Sequence, residues 1–136
     1  MNHITTVPKP SLALVDDDPH SSRLLTRMLL AHGAPDIDIY AGTSEAAAKL
    51  GVMLSDPHLQ IPGIVIVDLK SSSSATREFI AGLKKLPRGN ELLVAAIAAD
   101  VTKEARHALL QSGAAAVFER HADIEAYRRE AASIVS

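Results

Sequence analysis

The sequence contains no cysteine and no tryptophan, and it has only two phenylalanines and two tyrosines in 136 residues. Without cysteine, disulfides, thiol nucleophiles and cysteine-held metals are excluded, and a reducing compartment is permitted. So few aromatic rings leave little on which unpaired bases could stack. Nor does one charge dominate: a formal net charge of -2 gives no electrostatic footprint for a polyanion, so direct nucleic-acid binding is not expected. Long apolar runs are missing too. The longest, Leu92 to Ala99, falls far short of the ~20 residues needed to cross a bilayer, so no membrane span is expected. Met1 to Pro10 has no apolar stretch like that of a signal peptide. Residues 1–10 read as a flexible N-terminal tail and 11–136 as one cytoplasmic domain with no output domain attached.

Short apolar runs alternate with helical patterns five times. Leu12 to Val15 reads as a first strand, followed by Asp18-Pro19, an N-cap with proline at the first helical position. Leu24, Leu25, Met28 and Leu29 give that helix its apolar face, and Gly33 its stop. Ile37 to Tyr40 is a weaker second strand. Ser44 is placed to cap the next helix, with Ala47, Leu50, Met53 and Leu54 as its face. Ile64 to Val67 is β-branched throughout and apolar on both faces, the pattern of a parallel strand covered by helices on both sides. Phe79, Ile80, Leu83 and Leu86 mark a third helix and Leu92 to Ala98 a fourth strand. Thr102 caps a helix facing inward through Ala105, Ala108, Leu109 and Ser112 and closed by Gly113. Ala115 to Phe118 is the fifth strand, and Ile124, Tyr127, Ala131, Ile134 and Val135 are spaced for a last helix. Five such units with short connections predict an α/β fold, a doubly wound parallel sheet joined by right-handed crossovers.

In an open parallel sheet, ligands bind beyond the carboxyl ends of the strands. Asp16, Asp17 and Asp18 follow the first strand and Asp68 follows the third. Two carboxylates about 4 Å apart repel by roughly 4 kcal/mol at an effective dielectric near 20. Such a cluster raises a pKa or recruits a hard cation. Mg²⁺ suits it, because that ion accepts a few carboxylates and bridges to phosphate oxygens. An aspartate beside it can attack a phosphoryl group and form an acyl phosphate. Asp18, ahead of Pro19, is read as a cap; Asp16, Asp17 and Asp68 are read as one shared site.

Leu12-Ala-Leu-Val-Asp-Asp-Asp-Pro19 resembles the opening strand and acid pair of response-regulator receiver domains. Gly63 to Asp68 resembles their phosphoacceptor strand, and Gly113 to Phe118 their fifth strand. The match in motif order covers about residues 11 to 135. It implies a flavodoxin-like (βα)5 sheet of order 2-1-3-4-5, with Asp68 phosphorylated by a histidine kinase or phosphotransfer protein. Asp16 and Asp17 would hold Mg²⁺, with Asp68 and the backbone carbonyl of Lys70 completing the protein ligands. The resemblance also implies partner binding or homodimerisation through the fourth helix, fifth strand and fifth helix. There Leu110 points away from the inward face, beside Lys103, Arg106 and His107.

Several positions depart from the family. The hydroxyl residue that normally ends strand four is Ala98, which cannot donate a hydrogen bond to a phosphate. The aromatic residue of strand five is Val117, and the Lys-Pro after it is Arg120-His121. Arg120 can clamp a phosphoryl group in two-pronged fashion, with a geometry unlike that of lysine. Losing the proline removes the usual reason for a cis peptide there. Ser71-Ser72 and Thr76 replace a Met-Pro and a glycine in the acceptor loop, so that loop is expected to be looser. Lys70 and Asp100 border the pocket and could pair across its mouth, an exposed contact contributing on the order of 0.2–1 kcal/mol.

Other chemistries find little support. The six histidines show no ligand-like pairing, and no phosphate-cradling P-loop is present. A haloacid-dehalogenase phosphatase would need an aspartate where Lys70 stands. The expectation is therefore a receiver rather than an enzyme acting on other molecules. It takes a phosphoryl group on Asp68 with Mg²⁺ and signals by contact with a downstream protein. The alternative is a pseudo-receiver, an interaction module whose phosphate chemistry is vestigial.

Overall fold

In the computed structural model, residues 11–34, 36–70, 73–99, 101–120, 129 and 132–134 are described. Five parallel strands form one sheet in the order β2-β1-β3-β4-β5: β1 Leu12–Asp16, β2 Ile37–Tyr40, β3 Ile64–Asp68, β4 Val94–Ala98 and β5 Ala116–Glu119. Four helices fall between them: α1 Pro19–Ala31, α2 Thr43–Ser55, α3 Ser73–Lys84 and α4 Lys103–Ser112. Arg129 and residues 132–134 are helical; the other positions expected in a last helix, Ile124, Tyr127, Ala131 and Val135, lie outside the described residues, as do the N-terminal ten. The flavodoxin-like architecture and strand order are those expected.

Strand residues alternate between two cores, which is what makes the sheet doubly wound. Ala13, Val15, Val65, Val67, Val94 and Ala96 pack with Leu50 and Leu54 of α2, Ile80 and Leu83 of α3 and Leu109 of α4. Leu12, Leu14, Ile66, Ala95 and Ile97 pack on the other face with Leu25, Met28 and Leu29 of α1, and Ile134 joins them. Each fully buried Leu or Ile contributes about 1.5–3 kcal/mol. Covering both faces explains why β1 is buried along its whole length.

The helix ends follow local chemistry. Asp18 caps α1 by accepting from the His20 N–H at 3.0 Å, and Thr102 caps α4 by accepting from the Ala105 N–H at 3.1 Å. Gly113 closes α4 at φ +117°, a conformation that favours glycine. Ser44 does not cap α2. That helix starts two residues earlier than a Ser44 cap implies, at Thr43, and its N-cap, Gly42, makes no side-chain cap bond. Ala46, not Ala47, is its buried alanine. α2 carries no basic residue in its last turn. Arg88 supplies the charge from a distance, donating to the carbonyls of Asp56 at 3.0 Å, Leu59 at 2.6 Å and Met53 at 3.5 Å. Leu92 and Leu93 lie outside β4: a 3₁₀ turn, Gly89–Glu91, delivers the chain to Val94. β1 and β3 each run one residue further than expected, to Asp16 and Asp68.

Candidate functional site

That extra residue builds the site. β1 and β3 pair in register from Leu12 opposite Ile64, so four steps later Asp16 stands opposite Asp68 at the carboxyl edge. Both aspartates are almost completely buried, at 1% and 0% exposure. Strand pairing therefore holds two desolvated carboxylates side by side, an arrangement that requires cations.

Two side chains provide them. Lys70, two residues beyond Asp68, folds back so that Nζ lies 2.5 Å from Asp16 Oδ1 and 3.0 Å from Asp68 Oδ2. It also donates to the Asp68 carbonyl at 3.4 Å. Arg120, just past β5, turns its guanidinium onto Asp68 Oδ1, with Nε at 3.1 Å and a terminal nitrogen closer still. Its own N–H donates to the Ala98 carbonyl at 2.8 Å, which fixes the start of that reach.

The three consecutive acids have separate tasks. Asp16 Oδ1 accepts from the Asp18 N–H at 2.9 Å as well as from Lys70. Burial pushes the Asp16 carboxyl above its ordinary range, and the nearby charge of Asp68 adds to this; the bonds from Lys70 and the Asp18 N–H oppose it. Asp17 is exposed and accepts from the Lys70 N–H at 3.0 and 3.3 Å, so it anchors the loop that follows β3. Asp18 is the cap of α1. A cleft of about 490 Å³ opens beside Asp17 and Leu69, walled by Ala75 and by the turn entering α2 at Gly42 and Thr43.

The chemistry of this site suits a hard cation. Asp16 Oδ2 and Asp68 Oδ2 are buried without a hydrogen-bond partner, the Lys70 ammonium being close to the latter but not aligned with it. Two carboxylate oxygens left without a hydrogen bond suit Mg²⁺, which takes one or two carboxylates from a protein and completes its shell with waters. Among the described residues no three His, Asp or Glu side chains converge as a ready-made cage, so a divalent ion would rely on this pair.

The structure brings Asp16, Asp68, Lys70 and Arg120 together and leaves Asp17 at the border. Asp100, expected with Lys70 to border the pocket, and His121, with the peptide bond before it, lie outside the described residues. Ala98 ends β4 opposite Glu119, and Val117 is buried opposite Ala96. Thr76 is buried in α3. The sequence points only to the backbone carbonyl and rim position of Lys70; the inward reach of its ammonium onto Asp16 and Asp68 is a finding of the structure.

No family model matches the sequence. An uncharacterized 14.6 kDa protein from the sodA1 3′ region of Leptolyngbya boryana is 29% identical over 108 residues, 79% of this chain and 76% of that protein. Among solved structures, the phosphorylated cyanobacterial phytochrome response regulator RcpA superposes with a TM-score of 0.76 at 17% identity, covering 92% of this chain and 90% of that one. A response-regulator receiver domain from Rhodospirillum rubrum gives 0.76 at 15% identity over the same shares. The Mn²⁺-bound form of response regulator Rcp1 gives 0.69 at 16% identity, covering 92% and 91%. No helix among the described residues is long and apolar enough to cross a membrane. The fold of this chain is that of the response-regulator receiver domain.

Proposed function

We propose that this chain is a two-component receiver that accepts a phosphoryl group on Asp68 and signals through protein contacts. One observation carries the reading: Asp68 closes the central strand at the sheet's carboxyl edge, opposite Asp16 and under the guanidinium of Arg120. The phosphorylated state of one structural neighbour and the Mn²⁺ bound to another support it.

The donor would be a phosphohistidine on a kinase or phosphotransfer protein. A carboxylate oxygen of Asp68 attacks phosphorus, the P–O bond forms as the P–N bond breaks, and the electron pair returns to the imidazole, which takes up a proton. Arg120 suits the phosphoryl oxygens because its planar fork offers two parallel donors. Asp17 holds the acceptor loop in place through the Lys70 N–H. Asp16 and Asp68, with the Lys70 carbonyl, would hold Mg²⁺, which would supply charge neutralisation when bound; Asp17, expected among the ligands, is instead engaged with the Lys70 N–H. Partner contact is proposed at α4 and β5, where exposed Leu110 stands among exposed Lys103, Arg106 and His107.

A second reading, the phosphorylation-independent interaction module, is favoured by Asp68 having both oxygens already close to cations and by the missing hydroxyl at Ala98. Intact mass after incubation with acetyl phosphate and Mg²⁺, comparing wild type with Asp68→Asn, decides between them. A phosphoryl adduct on wild type alone supports the receiver. No adduct on either folded protein, with a histidine phosphodonor also failing, supports the module.

A further inference from the structure

We infer that Lys70 is a tethered cation that competes with a divalent metal for Asp16 and Asp68, and so sets the metal level at which the site becomes competent. This rests on the reading of those two carboxylates as the metal-holding pair and adds a control to it.

The geometry is that of direct competition. The ammonium lies 2.5 Å from Asp16 and 3.0 Å from Asp68, within bonding reach of both carboxylates at once. A magnesium ion bound to the same two groups would need metal–oxygen distances of about 2.0–2.1 Å, which leaves no room for a nitrogen between them. Charge leads to the same exclusion. Two buried carboxylates already face two cations, Lys70 and Arg120, so a divalent ion arriving with Lys70 in place meets a balanced site.

Yet the pair retains a demand for a better partner. Asp16 Oδ2 and Asp68 Oδ2 are fully buried acceptors that a single ammonium does not satisfy. A metal that coordinates both would satisfy them, provided Lys70 swings out. Its side chain is 24% exposed, and the loop need not move for it to leave, because the Lys70 N–H stays on Asp17. The inward and outward states of Lys70 are therefore the two positions of a side-chain gate. If the inward state holds 90% of the population or more, metal affinity falls about tenfold or more, in proportion to the open fraction.

The test is direct metal binding, with free Mn²⁺ followed by electron paramagnetic resonance, on wild type, Lys70→Met and Lys70→Gln. Lys70→Met and Lys70→Gln keep the backbone N–H, and using two guards against one failing to fold. Either folded variant is expected to bind Mn²⁺ at least tenfold more tightly than wild type, and adding Asp16→Asn is expected to abolish the gain. Equal or weaker affinity, no binding by any form, or a gain that survives Asp16→Asn overturns the inference. Acetyl phosphate labelling of the same proteins separates the two ideas. An adduct on Asp68 with unchanged Mn²⁺ affinity overturns the gate and leaves the receiver. Tighter Mn²⁺ binding without any adduct supports the gate and counts against the receiver.

Discussion

Asp16 and Asp68 face each other as register partners on β1 and β3, and the ammonium of Lys70 lies within 3.0 Å of both. With Arg120 on the far oxygen of Asp68, four charged side chains from three places in the chain form one network. Such networks respond to the loss of one member as a unit, because each deletion leaves a buried charge short of a partner.

Arg120→Ala is accordingly expected to destabilise the fold by about 1.5–3 kcal/mol, the range for hydrogen bonds to charged groups. In an Asp68→Asn background the same substitution should cost much less, since the carboxylate it served is gone. Urea unfolding of the four proteins closes the cycle. Free-energy changes that simply add, within about 0.3–0.5 kcal/mol, would show that Arg120 and Asp68 do not interact in solution.

Two glycines make a matched pair with opposite expected signs. A Cβ at Gly89 would meet the Lys84 carbonyl oxygen at 2.6 Å and the Leu83 carbonyl more closely still, and neither backbone group can step aside. Gly89→Ala should cost about 1–3 kcal/mol, as overpacking does. Gly51 sits inside α2 with nothing within 4 Å of its would-be Cβ. Gly51→Ala should stabilise by roughly 0.5–1 kcal/mol, because alanine loses less backbone freedom in a helix. Thermal unfolding reads both, and a shift of the same sign in the two variants would contradict this account.

Much of this architecture is legible in the sequence because the sheet is covered on both faces. Ile64 to Val67 can hardly be anything but a buried parallel strand, and with β1 it places Asp16 and Asp68 at one edge. Legibility fails where several residues satisfy the same rule. Ala46, Ala47 and Ala48 give a helix period no phase, and only Ala46 is buried. At the start of α2, Glu45 reaches back to the Ala41 N–H at 3.2 Å, a bond that Ser44 as the expected cap does not suggest. Leu92 and Leu93 extend the apolar run of β4, yet Leu92 is buried as the chain leaves a 3₁₀ turn and Leu93 is exposed. The Lys70 ammonium was beyond reach for another reason: sequence spacing places its Cα, while only the depth of the acid pair decides whether a long flexible side chain folds inward.

Tyr40 offers a pH-dependent check on the sheet's edge. Burial at the end of β2 pushes its phenol above the ordinary 10.0, and the charges of Asp38 and Glu45 add to this. A group whose folded pKa is raised leaves stability intact below the unfolded value and removes it as pH climbs towards the folded one. Stability should therefore fall as pH rises above about 10, and less steeply in Tyr40→Phe. Ultraviolet titration of Tyr127→Phe, which isolates Tyr40, should show ionisation later than in the unfolded chain. Coincident titration curves would place Tyr40 in water.

Ala98 bears on how a phosphate at Asp68 would be sensed. The residue ends β4, its carbonyl holds the Arg120 N–H at 2.8 Å, and its methyl has no proton to donate to a phosphoryl oxygen. Val117, buried in β5, likewise offers no ring to reorient. In the phosphorylated wild type, amide resonances should therefore shift near Asp68, Lys70 and Arg120 and stay nearly fixed along α4. Ala98→Thr supplies the missing hydroxyl at a strand position where a β-branched residue is at home, at a stability change within about 1 kcal/mol. In that variant the shifts should spread into β5 and α4. Shifts along α4 as large in wild type as in Ala98→Thr would mean that Arg120 alone transmits the phosphate, and the hydroxyl would then be dispensable in this chain.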